Sequence, residues 1–239
     1  MSDKLTLKIP SNLEDIELHK YQKYLKILDG VDKEAPEADD FLAIKMMEIF
    51  CDLSYDEVRR LPAGVFEFSV QKILECLSES TPLIKRFTFK DEEGVEIEFG
   101  FIPSLDEMTL GEYIDLDESI KDWQDMHKAL AVMYRPIISS RNDLYAIEEY
   151  KGIEKYEDIM KYTSVNVALG AMLFFYRLGI KLSSHTVNSL WQKTPEEDRT
   201  EAQRRILERS GVGINQFMRS LEETYSSLTP LRSKDFTAH

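Results

Sequence analysis

Cysteine is scarce: 239 residues hold Cys51 and Cys76 and no other, neither in a C-x-x-C pair. That excludes a disulfide-stapled scaffold and a paired-Cys zinc site. Both sit in apolar runs and read as reduced, buried thiols. Met1-Ser2-Asp3-Lys4 leads straight into a Leu/Ile alternation with no secretory leader, which predicts a cytosolic setting. Ten glycines and eight prolines are too few for collagen or a low-complexity chain. Long apolar runs are missing too. The most apolar stretch, Val165 to Tyr176, spans 12 residues, whereas a membrane span needs about 20. No membrane association is expected, and that stretch reads as a core helix.

Positive charge is short. Thirty Lys and Arg face 44 Asp and Glu, a formal charge of −14 and a pI near 4.8. Such a surface repels phosphate backbones, so direct wrapping of nucleic acid is excluded. The deficit is uneven. From Asp91 to Glu118 there are 11 carboxylates and no Lys or Arg. From Lys193 to His239 eight basic residues balance eight acidic ones, so the whole excess belongs to residues 1–192. The imbalance serves solubility, or it draws the acidic body and the Arg-bearing end toward partners or neighbouring copies.

What remains is an ordinary globular chain, 43% hydrophobic and 31% charged, long enough to bury roughly 70% of its unfolded surface. Leu5-Thr6-Leu7-Lys8-Ile9 alternates as a half-buried strand closed by Pro10. Helical spacing then runs from Asp15 to Leu28, with Gly30 as the stop. It resumes from Phe41 to Phe50, after the capping box Ser54–Glu57, and from Val65 to Leu77. Phe87-Thr88-Phe89-Lys90 and Val95-Glu96-Ile97-Glu98-Phe99 predict a hairpin, with Gly94 in its turn. The N-terminal strand and this hairpin are expected to form one small antiparallel sheet. An amphipathic helix is predicted from Ser119 to Tyr134, ended by Pro136, and a long helical region from Tyr156 to about Leu182. A second capping box, Thr194–Glu197, opens a charged helix that Gly211-Val212-Gly213 breaks. The fold class expected is α+β, mostly α. A helical body with a small sheet covers residues 1–192, and a helical C-terminal appendage covers 193–239.

One internal echo stands out. Ile9-Pro10-Ser11-Asn12-Leu13-Glu14-Asp15-Ile16-Glu17-Leu18-His19-Lys20-Tyr21 matches Ile102-Pro103-Ser104-Leu105-Asp106-Glu107-Met108-Thr109-Leu110-Gly111-Glu112-Tyr113 after one deletion. Each copy follows a predicted strand and opens a helix, as a duplicated strand-to-helix corner would.

Catalytic signatures are absent. Asp122, Asp125 and His127 are close in sequence, but at about 100° per residue His127 points about 140° from Asp122 and about 160° from Asp125. His127 shares a stripe with Trp123 and Leu130 and reads as a structural, partly buried histidine. The acidic loop Asp32 to Asp40 lacks the ligand pattern of an EF-hand. Gly211-x-Gly213 follows a helix and cradles no phosphate. The expectation is a protein that is not an enzyme, with no catalytic residues, no cofactor and no metal.

A binding element is readable at the C-terminus. Ile214, Phe217, Met218, Leu221, Tyr225 and Leu228 form a stripe at helical spacing beyond the Gly-x-Gly break. They are the candidate partner-binding residues. Two outcomes stay open: the stripe packs back on its own domain, or it docks in a groove of another subunit.

The stretch Phe101 to Tyr113, continued from Asp122-Trp123-Gln124-Asp125-Met126-His127 to Arg135-Pro136-Ile137, resembles morphogenesis proteins of tailed bacteriophages. Ile9-Pro10-Ser11 through Tyr24 and Ala168-Leu169-Gly170 through Tyr176 share that resemblance, which covers about a third of the chain. It implies a non-enzymatic protein of tail or virion assembly, either a minor neck, tail or baseplate component or an assembly chaperone. It implies other phage structural proteins as partners, a homo-oligomer or ring within an assembly, and a place in the virion or the infected cell's cytoplasm. A host-directed adaptor, or an enzyme with an unrecognised site, are the alternatives.

Overall fold

The computed structural model describes residues 7–32, 35–90, 94–175 and 178. The class is as expected: helices predominate, with one small antiparallel sheet. A 3-10 turn at Leu13–Asp15 precedes helix α1 (Leu18–Gly30). Helices α2 (Ala38–Phe50), α3 (Tyr55–Arg59) and α4 (Ala63–Leu77) follow, then strands β1 (Arg86–Lys90) and β2 (Glu96–Phe101). A second 3-10 turn, Leu105–Glu107, precedes α5 (Leu110–Ser119), and a third, Trp123–Asp125, precedes α6 (Met126–Met133). The chain ends with β3 (Tyr134–Arg141), β4 (Leu144–Ile147), α7 (Glu157–Met160) and a helix α8 over residues 165–175.

Local chemistry accounts for several boundaries. Ser54 accepts from the Glu57 N–H while the Glu57 carboxylate accepts from the Ser54 N–H, so the capping box read from sequence closes on both sides. Pro62 then caps the start of α4, where its missing N–H costs nothing. Gly94 adopts a φ of 81°, as the hairpin turn requires.

The sheet differs from expectation in its membership. Residues 7–9 form no strand, and the strands joining the β1–β2 hairpin are β3 and β4, in the order β1-β2-β3-β4. Only Tyr134 of these falls in the helix expected from Ser119 to Tyr134; the rest lie in the stretch up to Tyr156, for which no regular element is expected. The helical spacing from Ile120 to Tyr134 is real but crosses two breaks, a turn before Trp123 and an abrupt change at Met133/Tyr134. Pro136 does not follow a helix; it lies inside β3, opposite Phe99. Its carbonyl accepts from the Glu148 N–H at 2.9 Å, just past the end of β4, so its missing N–H faces the flank where pairing has run out. Asn142, at φ 56°, turns β3 into β4 through the two residues Asn142-Asp143.

α6 is the centre of the core. Met126, His127 and Ala129 to Met133 are all buried. The same core cluster takes in Leu18, Tyr21, Tyr24 and Leu28 of α1, Met46 and Met47 of α2, Ile73 of α4, Phe99 and Phe101 of β2, and Val165 and Ala168 of α8. Gly170 lets α8 approach the backbone of Pro82 so closely that a Cβ there would collide with the Pro82 carbonyl. Both cysteines are buried and free. Burial pushes the thiol pKa values up, to about 11 for Cys51 and about 12 for Cys76, so neither offers a thiolate at neutral pH.

Candidate functional site: the outward face of α5

The duplicated corner is present in three dimensions. In each copy Ile-Pro-Ser runs into a three-residue 3-10 turn, Leu13–Asp15 or Leu105–Glu107, and a helix opens five residues after the turn's Leu, at Leu18 or Leu110. The Tyr three residues on is Tyr21 in one and Tyr113 in the other. Among the described residues only the second corner follows a strand.

The two corners meet different surroundings. At the first, residues 161–165 lie alongside. Leu18 N–H donates to Thr163 O at 2.8 Å, Val165 N–H to Ile16 O at 2.8 Å, and Glu17 forms an antiparallel bridge with Ser164. Tyr21 meets the Trp123 ring edge-on. Leu18 and Tyr21 are 0% and 1% exposed. At the second corner nothing among the described residues covers the matching pair. Leu110 is 74% exposed, Tyr113 62%, and the next residue, Ile114, 45%.

The composition of α5 makes this more than an exposed leucine. Leu110, Tyr113 and Ile114 fall within about 100° of arc, and Glu112, Asp115, Leu116 and Ser119 occupy the opposite side. On that inward side Glu112 and Ser119 are buried polar groups. The Glu112 carboxylate accepts from the Thr109 N–H at 2.7 Å and the Thr109 hydroxyl at 2.8 Å, completing the helix's own capping box. Its other oxygen pairs with Arg135 of β3 at 2.6 Å, with side-chain exposures of 9% and 5% for Arg and Glu. The Arg135 guanidinium lies over the Tyr150 ring, and the Tyr150 hydroxyl donates to Asp115. Burial alone would raise the Glu112 pKa, but the Thr109 hydrogen bonds and the Arg135 charge outweigh it and hold it below the ordinary value. Thus α5 directs Glu112 and Asp115 to the inward side with Leu116, and presents Leu110, Tyr113 and Ile114 to solvent beside the exposed Asp117 and Glu118.

The electrostatic setting is one-sided. Asp106, Glu107 and Glu118 are exposed around this face, and no basic side chain of the described residues pairs with them. Asp117 pairs with Lys121 at 2.7 Å. Apolar surface ringed by uncompensated carboxylates suits a partner that is apolar and cationic.

The sequence-derived candidates fall elsewhere. Ile214, Phe217, Met218, Leu221, Tyr225 and Leu228 lie outside the described residues, as does the division at residue 192. Asp122 caps the turn before α6 and Asp125 pairs with Lys128 at 2.7 Å. His127 is buried beside Gln22, whose amide nitrogen also donates to the carbonyls of Trp123 and Gln124. His127 Nδ1 lies 3.2 Å from that amide nitrogen. Burial first, then Lys161 and Lys128, lower the His127 pKa against the opposing pull of Glu157 and Asp125. Among the described residues no group of three or more His, Cys, Asp or Glu could hold a metal ion, and no helix is long and apolar enough to cross a membrane.

No family model, curated protein or solved structure matches the chain.

Proposed function

We propose that this protein works without catalysis, by contact with other proteins during tail or virion assembly of a tailed bacteriophage, and that the outward face of α5 is a contact surface. The observation that carries the contact reading is the inversion of α5: Leu110, Tyr113 and Ile114 face solvent while Glu112 and Asp115 are engaged inside. A free protein gains nothing by hydrating three large apolar side chains on one face, and grouped apolar exposure marks interaction sites. Burying each against a partner contributes about 1.5–3 kcal/mol before the costs of association. The phage setting rests on the resemblance carried by Phe101–Tyr113 and Asp122–Ile137, which takes in the first residues of α5 and of β3.

The test is a phage that encodes Tyr113→Asp with Ile114→Asp. Infectious particles should be lost while the isolated protein keeps its cooperative melt, since both side chains are exposed. Normal particle yield from that phage would refute the contact reading. Proteomics of purified wild-type particles then separates a resident component, present in stoichiometric amounts, from a chaperone that leaves.

A further inference from the structure

We infer that the outward face of α5 receives the β3–β4 hairpin of a second copy of this chain. The inference rests on the reading of α5 as a contact face and names what that face takes. Three observations join the two surfaces.

The first is a second uncovered surface among the described residues. β3 pairs with β2 only as far as Pro136. Beyond it β3 pairs with β4 alone, across a register shift between Ile137 and Ser139 that bends the strand. Every residue from Ile138 to Leu144 is exposed, Ile138 at 67% and Leu144 at 80%. The hairpin is braced on one side. There Gly100 leaves room for the Tyr145 ring, and the Tyr145 hydroxyl donates to Phe101 O at 2.7 Å. Arg86 lies over the same ring and donates to Ser140 Oγ at 3.1 Å. The cross-strand pairs Arg141–Leu144 and Ser139–Ala146 point to the other side, and all four residues are exposed. The hairpin is thus a stiff arm, ordered before it binds.

The second is complementarity. α5 offers Leu110, Tyr113 and Ile114, with Asp106 and Glu107 at one end and Glu118 at the other. The arm offers Leu144 and Ala146, with the cation Arg141 beside its tip. Asp143 in the turn leaves the arm without net charge, unlike the acidic body. The sizes agree as well. Leu110 to Glu118 spans about 12 Å of helix, and the four strand residues 138–141 span about 13 Å. Because both ends of α5 are acidic, Arg141 meets a carboxylate whichever way the arm lies.

The third is spacing and connection. Residues 1–192 carry the entire −14 of the chain, which opposes contact of two bodies through broad flat faces. Charges more than about 8 Å apart are largely screened at physiological ionic strength, so an arm of this length can join copies that flat faces would not. Arg135, three residues before Ile138, holds Glu112 of α5. Arm and face therefore leave the body from one root, and two copies can exchange arms in a single two-fold contact.

The test places a photo-reactive phenylalanine analogue at position 113 of isotopically light, full-length protein. It is mixed with heavy protein that keeps Tyr113, irradiated, and the linked peptides are mapped. Links from position 113 of the light chain to residues 138–147 of the heavy chain are expected. Arg141→Glu in the heavy chain should lower their yield several-fold, and Glu107→Lys with Glu118→Lys in the light chain should restore it. Wild-type protein should sediment as a dimer at micromolar concentration. Ile138→Asp with Leu144→Asp should return it to a monomer that keeps its cooperative melt. Links to any other part of the second copy, links confined to one chain, no links at all, a yield indifferent to Arg141→Glu, or a monomeric wild type would each overturn the inference. If the wild type is monomeric and position 113 links to a different virion protein in infected cells, the contact reading stands and this inference falls. Normal particles from the Tyr113→Asp, Ile114→Asp phage would sink the contact reading itself.

Discussion

The first corner, at Leu18, and the second, at Leu110, share their local sequence and backbone, yet one is core and the other is surface. Local sequence therefore sets the turn and the helix start, while burial is decided by what arrives from far along the chain. Residues 161–165 pair with the first corner, and Gln22, which aligns with Ile114, is drawn into hydrogen bonds with Trp123, Gln124 and His127. At the second corner the equivalent of Lys20 is Glu112, and that acidic residue reverses the helix. It is pulled inward to Arg135, and the Leu and Tyr are turned out.

The sharpest way to break the comparison is to remove the ion pair that sustains the reversal. Glu112→Ala leaves Arg135 buried without its carboxylate and takes away the capping bonds to Thr109. It should destabilise the body by about 3–5 kcal/mol in urea unfolding, whereas Glu112→Ala with Arg135→Met should recover part of that. Next comes a matched truncation. Leu18→Ala should cost about 2–5 kcal/mol because Leu18 is fully buried. Leu110→Ala should stay within about 0.5 kcal/mol in the same assay. Equal costs at the two positions would mean that Leu110 is covered in the free body.

A third measurement concerns α8, the helix that follows the stretch sealing the first corner. Gly170→Ala drives a methyl group into the Pro82 carbonyl and should cost about 1–3 kcal/mol. The smallest effect is a pH step. The folded protein holds His127 below the ordinary value of 6.5 because it is buried and lies near Lys161 and Lys128. The unfolded chain takes up a proton first as pH falls. The stabilisation is therefore complete above 6.5, is lost as pH drops from there toward the depressed folded value, and is flat below it. Melting temperature followed from pH 7.5 to 5 should show that decline, and His127→Gln should flatten it.

Much of this fold is legible in the sequence where the signal is short-range. The alternation at Phe87–Lys90 and Val95–Phe99, the Ser54–Glu57 box and the Ile-Pro-Ser echo all correspond to structure within a few residues. The miss at β3 has a physical cause. Trp123, His127, Leu130 and Tyr134 are each buried, so they keep helical spacing in sequence although the chain between them changes conformation twice. The β-branched pair Ile137-Ile138, followed by Asn142-Asp143 and then Leu144 to Ile147, is the hairpin signal that was there to be read. The candidate site was half legible. The echo located α5, but its inward Glu112 was invisible because the partner, Arg135, lies 23 residues away on a strand read as helix and proline stop.

α6 passes into β3 at Met133/Tyr134 with no intervening loop, and Arg135 grips α5 one residue later. Any load applied at the second corner thus enters the middle of the molecule through a stiff joint and bypasses every hinge. A partner seated on α5 should slow amide exchange in α6 and β3 along with α5 itself, so that docking is felt as tightening of the whole body.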